Sequence, residues 1–225
     1  MSTMMNIGTS GAKGFQNKIN TTAQNIANAN TMGYKRGVSN FKDLVYQQVN
    51  QIPVNGELAT YYQGKGVQNT FISADFSQGA LVMDQTDTSY AISGKGYFGV
   101  LNPVTNEVEL TRDGTFGRNA VGELVDVSGY RVMMNGEEPM LYLPTQTAWM
   151  TELSNNRYSV APENLITNEQ NPALFGTLQQ GALEASNVSL ATEMTDLIVA
   201  QRGYSLNLKA IQTADENLQI INQLR

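Results

Sequence analysis

Residues 190–218 read LATEMTDLIVAQRGYSLNLKAIQTADENL, a run with no Pro and one Gly, at position 203. Leu190, Met194, Leu197, Gln201, Tyr204, Leu208, Ile211 and Leu218 recur at heptad spacing, and Ile198 and Ile221 widen the stripe. The spacing predicts a helix of about 35 residues, a rod of roughly 50 Å. Ser186 and Ser189 stand where its N-cap is needed. A helix of this length needs a mate. The other end of the chain offers one, because Met1, Met5, Gly8, Ala12, Phe15, Ile19, Thr22 and Ile26 alternate by four and three. That stripe is weak: Gly8, Gly11 and Gly14 each lower helix propensity. Asn28 to Gly33 ends the pattern, with Gly33 as the left-handed residue past the helix. Two readings follow: the ends meet each other, or their equivalents in neighbouring copies, or both helices cap the central core.

Between the ends the period changes. Ser89–Ser93, Tyr97–Leu101, Glu107–Thr111, Thr115–Arg118, Glu123–Val127 and Tyr130–Met134 read as short strands punctuated by turns. Asp113-Gly114 between two of them predicts a hairpin. Pro53, Gly56 and Gly64 mark residues 36–65 as an extended linker, and the Pro- and Asn-rich stretch 161–184 reads likewise. The expected organisation is a terminal helical domain (1–35 with 185–225), linkers (36–65 and 161–184) and a central all-β domain (66–160), an α+β chain overall.

The composition excludes much chemistry. The 225 residues hold no Cys and no His, which removes disulfides, thiol nucleophiles, Cys/His zinc sites and Ser-His-Asp triads. Net charge is −6, against non-specific nucleic-acid binding. It is unevenly spread: residues 1–59 carry five Lys/Arg and two Asp/Glu, residues 60–165 six and twelve, and residues 166–225 three and six. A basic front and an acidic remainder can attract each other within one subunit or between two. No apolar run approaches the roughly 18–20 residues needed to span a bilayer. The start lacks the basic and apolar regions of a cleavable secretory signal. Gly94-Lys-Gly-Tyr-Phe-Gly99 matches a dinucleotide-loop string but leads into a strand, where pyrophosphate binding needs a helix N-terminus. Among the carboxylate pairs, Glu107 and Glu109 share one strand face, read as the wet one. No catalytic residue, metal ligand or cofactor is expected.

Two strings are more specific than these patterns. One is Ala23-Gln-Asn-Ile-Ala-Asn-Ala-Asn-Thr-Met-Gly-Tyr-Lys-Arg36 with Asn40-Phe-Lys-Asp-Leu-Val-Tyr-Gln47. The other is Gly181-Ala-Leu-Glu-Ala-Ser-Asn-Val188 with Glu193-Met194 and Ile198-Val-Ala-Gln-Arg-Gly-Tyr204. Together they resemble the signatures of the bacterial flagellar axial proteins, the rod and hook subunits. Gly94-x-Gly-Tyr-Phe98, Thr111-Arg-Asp-Gly-Thr-Phe116 and Gly122-Glu-Leu-Val125 resemble the family's middle. The signature falls on Asn25, Asn28, Gly33, Tyr34, Lys35, Glu184, Ser186, Asn187, Val188, Glu193, Gln201 and Arg202. Gln24 departs from the usual Asn, and Gly203 from the usual Ala or Asn.

The resemblance implies terminal helices paired as an antiparallel coiled coil, packing between subunits through Met5, Phe15, Ile19, Ile26, Leu190, Met194, Leu197, Tyr204, Leu208, Ile211 and Leu218. It implies a structural subunit of the basal-body rod that polymerises into a hollow helical tube, transmitting torque and serving as export channel. The implied partners are further copies, neighbouring rod and hook subunits, the flagellar type III export apparatus and surrounding ring proteins, with no nucleic acid and no membrane span. The implied location is the periplasm-spanning rod. One β-module favours a rod subunit over a hook subunit, and the Asp43-Leu-Val-Tyr-Gln47 run also resembles rod proteins more; distal rod is the first choice and proximal rod the second. A secreted β-domain binding module is the reading from another class; it requires a functional concave site within 66–160.

Overall fold

The computed structural model describes residues 2–43, 47–54, 57–63 and 66–223. Met1, the Leu44–Tyr46 part of the rod-like string, Gly56 and Gly64 lie outside the described residues. The chain divides into two compact units. A helical unit holds Met1–Ala27, Gly37–Asp75 and Ser189–Arg225, and a β unit holds Asn28–Arg36 and Phe76–Val188.

In the helical unit, helix α1 (Ser2–Ala27) packs antiparallel to helix α2 (Leu190–Gln223). Gly8 lies against Ile211, Gly11 against Asn207 and Phe15 against Gly203, and Lys18 reaches Asp196 at 3.5 Å. The glycines that weaken α1 as an isolated helix let α2 approach it. A Cβ on Gly8 would come within 2.8 Å of Ile211, and one on Gly11 would overlap the Asn207 amide.

The buried and half-buried positions of α2 are Glu193, Leu197, Ala200, Tyr204, Asn207, Ile211, Ala214 and Leu218, an unbroken heptad stripe flanked by half-buried Asp196 and Gly203. Of the positions expected at heptad spacing, Leu197, Tyr204, Ile211 and Leu218 fall on this stripe within the chain, whereas Leu190, Met194 and Leu208 are 45%, 50% and 39% exposed, and Gln201 is exposed. The alternate positions of the stripe belong to Ala200, Asn207 and Ala214, whose short side chains fit a close glycine-lined approach. On α1, Met5, Phe15, Ile19 and Ile26 are half-buried.

Two β-ladders complete this unit. Strand β1 (Gly37–Asp43) pairs antiparallel with β4 (Val67–Ala74), and β2 (Gln47–Val54) with β3 (Glu57–Gln63). Residues 36–65 are therefore largely paired strand where an extended linker was expected, and Val67–Ala74 belongs to the helical unit and not to the β domain. The Phe41 ring sits 5.5 Å from that of Phe15, in space that Gly14 leaves free.

The β unit is built around β7 (Tyr97–Leu101), after β5 (Leu81–Met83) and β6 (Tyr90–Ser93) and before β8 (Val108–Thr111). On one edge β7 pairs with β8, which continues to Arg157–Ser159; on the other it pairs with Arg131–Val132 and Leu141–Pro144. Its side chains alternate between two cores. Phe98 and Val100 join Tyr90, Ile92, Phe116, Leu124, Val132 and Leu141, while Tyr97 joins Leu110, Tyr142, Tyr158 and Val160. A central strand buried on both faces has no wet side, which explains its apolar run.

The stretch expected to be a linker from 161 to 184 also pairs. Leu165–Thr167 pairs with Leu141–Pro144, Thr177–Gln180 with β6, and Ala182–Glu184 with β5. These partners are far apart in sequence, so local composition does not reveal them.

The Asp113-Gly114 hairpin is corrected as well. The strand after this turn, Gly117–Arg118, pairs with Leu124–Val125 and not with β8. Asp113 Oδ1 accepts bonds from the Thr115 N–H and hydroxyl, and a Cβ on Gly114 would overlap the Tyr90 carbonyl. Close approach, not positive φ, requires the glycine there.

Candidate functional site

The residues of the family-like strings resolve into a buried junction in each unit and an exposed helix face.

In the helical unit, Asn25 near the end of α1 is 1% exposed. Its Nδ2 donates to the Gly37 carbonyl (2.9 Å) and to Glu193 Oε2 (3.0 Å), and its Oδ1 accepts from the Gly37 N–H (2.8 Å). One side-chain amide thus ties the end of α1, the start of β1 and the first turn of α2. A buried carboxylate such as Glu193 requires a donor of this kind.

In the β unit, the centre is Glu184, also 1% exposed. Lys35 Nζ donates to Glu184 Oε1 at 2.6 Å and to the Ser77 carbonyl at 2.8 Å. The Gly79 N–H reaches the same oxygen at 2.9 Å. Arg112 Nη1 donates to Oε2 at 2.9 Å and Nη2 to the Gly94 carbonyl at 2.8 Å. The Gly33 N–H donates to the Glu184 carbonyl at 2.7 Å. Gly33 has φ +67°, and a Cβ there would stand 2.5 Å from the Arg112 backbone, so both conformation and space demand glycine. Beside this cluster, Asn187 Oδ1 accepts from the Arg36 N–H and its Nδ2 donates to the Ser77 carbonyl.

The remaining string residues play smaller local parts. Asn28 accepts from Thr31, Ser186 Oγ accepts from the Val188 N–H, and Tyr34 closes a turn onto the Thr31 carbonyl. Gln201 and Arg202 stand exposed on α2.

Sequence reasoning missed two arginines. Arg112 lies inside the Thr111–Phe116 string but carries no pattern of its own. Its guanidinium covers the Tyr97 ring at 5.1 Å, and burial pushes the Tyr97 phenol up to about 12. Arg157 lies outside every string. It pairs with Glu109 at 3.1 Å and Asp126 at 3.2 Å and stacks 3.8 Å over the Tyr130 ring. Glu109 is consequently buried, which corrects its placement on a wet face.

The helix face is on α2. Met194, Ile198, Val199, Leu206, Ile220 and Ile221 are each 46–65% exposed. At 3.6 residues per turn, Ile198, Leu206 and Ile220 lie on the side away from the heptad stripe and Met194 on its flank. The helix therefore carries exposed apolar residues outside its stripe.

The β unit also has an open cleft of about 910 Å³ lined by Arg118, Glu123, Arg131, Glu137 and Glu138 among others, with Arg131 paired to Glu123 at 3.1 Å. Among the described residues, no Asp/Glu group is arranged to hold a metal, and no helix is long and apolar enough to cross a membrane.

Comparison with known proteins matches the two ends to family models. Residues 5–35 match the flagella basal body rod protein model, and residues 179–224 match the C-terminal model of the flagellar basal body rod FlgEFG proteins. The flagellar basal-body rod protein FlgG of Borreliella burgdorferi is 32% identical, with 96% of each chain covered. Its counterpart in Buchnera aphidicola (subsp. Schizaphis graminum) is 31% identical over 97% of this chain and 98% of that relative. The flagellar hook-basal body complex protein FlhP of Bacillus subtilis is 29% identical over 93% of this chain and 94% of that relative.

Proposed function

Because this chain belongs to the flagellar basal-body rod protein family, we propose that it polymerises through its helices into a hollow rod segment of distal type. It is a structural subunit of the flagellar basal-body rod. The polymer is a helical tube that carries torque from motor to hook and conducts export substrates. Its terminal helices form an antiparallel coiled coil that lines the tube, and the subunit arrives through the flagellar type III apparatus. Its neighbours are further copies, adjoining rod and hook subunits and the surrounding rings.

One observation carries this reading. Helix α2 satisfies its heptad stripe against α1 yet leaves Met194, Ile198, Leu206 and Ile220 in water outside that stripe. These apolar side chains have no cover within the chain, and exposed apolar surface of this kind is a feature of interaction sites. Non-closing contacts between identical subunits generate filaments.

The test is the double variant Ile198→Glu/Leu206→Glu. It should keep its far-ultraviolet helix signal as a monomer, form no tubes by negative stain, and fail to restore swimming to a deletion strain. Normal tubes and normal swimming from this variant would refute assembly through that face.

A further inference from the structure

The two units divide the charge of the chain in a way the sequence order conceals. The helical unit holds seven Lys/Arg and seven Asp/Glu, so the basic N-terminal segment and the acidic C-terminal segment cancel within it. The β unit holds seven Lys/Arg and thirteen Asp/Glu and carries the whole net charge of −6. Three of its seven cations, Lys35, Arg112 and Arg157, are buried in ion pairs that also take up Glu184 and Glu109. Four cations are left at its surface against eleven carboxylates that are not buried. Its surface is more acidic than its composition.

From this partition we infer that like-charge repulsion between β units opposes assembly, so that the concentration the subunit needs to polymerise falls as ionic strength rises. The inference rests on the polymer reading above. An antiparallel helix pair is roughly 20 Å wide, two helices of about 10 Å each. A compact body of 122 residues has a radius of gyration of about 14 Å, hence a width near 35 Å. Helix pairs that pack side by side therefore crowd the tethered β units against one another. Their surfaces then approach within the Debye length, about 10 Å at 0.1 M salt and about 30 Å at 0.01 M. The neutral helical unit supplies apolar attraction that salt does not weaken, while the β unit supplies a repulsion that salt screens. The balance keeps subunits apart in dilute electrolyte and lets them join when counter-ions are present.

The full-length chain is tested by sedimentation and negative stain in 20, 150 and 500 mM NaCl, beside the quadruple variant Glu107→Gln/Glu137→Gln/Glu138→Gln/Glu163→Gln. All four glutamates are exposed and none belongs to a buried junction. For the parent chain, the critical concentration for tubes should fall on the order of tenfold from 20 to 500 mM NaCl. The variant, with four charges removed, should assemble at 20 mM as the parent does at higher salt. A critical concentration independent of salt overturns the inference. So does a salt response identical in parent and variant, which would mark plain salting-out. Absence of tubes from both proteins at every salt would instead take down the polymer reading, and this inference with it.

Discussion

The helical unit and the β unit solve opposite problems with the same chain. The β unit buries five charges in its interior, Lys35, Arg112, Arg157, Glu109 and Glu184, and each is paired. It also closes two apolar cores on the two faces of β7. The helical unit does the reverse. Its fully buried apolar side chains in the two helices are the alanines Ala12, Ala200 and Ala214, while larger ones such as Leu206 and Ile198 face solvent. The helical unit is narrow where its helices meet and apolar where they do not. The chain thus joins a β unit with two closed apolar cores to a helix pair whose outer face is partly apolar.

The contrast can be tested most severely at Glu184. Glu184→Gln keeps the side-chain shape but leaves Lys35 and Arg112 buried without an anion, and removing one partner of a buried pair costs about 3–5 kcal/mol. Urea titration of the monomer should show that loss in the β-unit transition, with helix content unchanged until the β unit melts. A loss under about 1 kcal/mol, the range of exposed pairs, would erase the distinction between the units.

The next effect belongs to the helices. Gly11→Leu drives a side chain into the Asn207 amide, and overpacking of this kind costs about 1–3 kcal/mol. Circular dichroism should report lower helix content and near-ultraviolet signals from the β unit's tyrosines should stay as they were. If the variant gains helix instead, as propensity alone predicts, then the close approach at Gly11 contributes nothing.

The smallest effect tests whether the β unit tolerates a half-buried charge outside its ion pairs. Burial raises the Asp113 carboxyl above its ordinary value, against the bonds from Thr115 that lower it. The folded state then holds its proton more tightly than the unfolded state does, so stability declines as pH climbs from the unfolded value of 3.8 through the folded one. Asp113→Asn keeps an oxygen for Thr115 and sheds the charge. It should match or slightly exceed the parent in melting temperature at pH 7, with the difference vanishing near pH 3. An Asn variant that melts well below its parent at pH 7 would show that the ionised carboxylate is itself stabilising.

Much of this architecture was legible in the sequence where the signal is periodic. Leu197, Tyr204, Ile211 and Leu218 announce α2, and the apolar run Tyr97–Leu101 between turn signals announces a strand. The rest failed for identifiable reasons. Ala200 and Ala214 were passed over because a hydrophobic count undervalues small residues that let helices approach. The pairing of Thr177–Gln180 with Tyr90–Ser93 joins segments more than eighty residues apart, which no local window detects. The junction residues were legible in another way: Asn25, Lys35, Glu184 and Glu193 were singled out by resemblance, and Gly33 by resemblance and by its place past the end of α1. Their geometry gives the physical reason, a buried polar group at each crossing of the chain. Arg157 had no signal of either kind, because an arginine facing solvent and one clamped between Glu109 and Asp126 look alike in a string of letters.

The Glu184 cluster also sets an order of events in time. Lys35, Arg112 and Glu184 are separated by 149 and 72 residues from the first and second of these to the last. A ribosome makes the chain N-terminus first, so residue 35 waits for its anion until residue 184 has been made. Until then the ammonium and the guanidinium have no reason to leave water, and the entropy of closing so long a loop opposes early docking. The β unit is thus a late folder by construction, since this cluster cannot close before Glu184 has emerged.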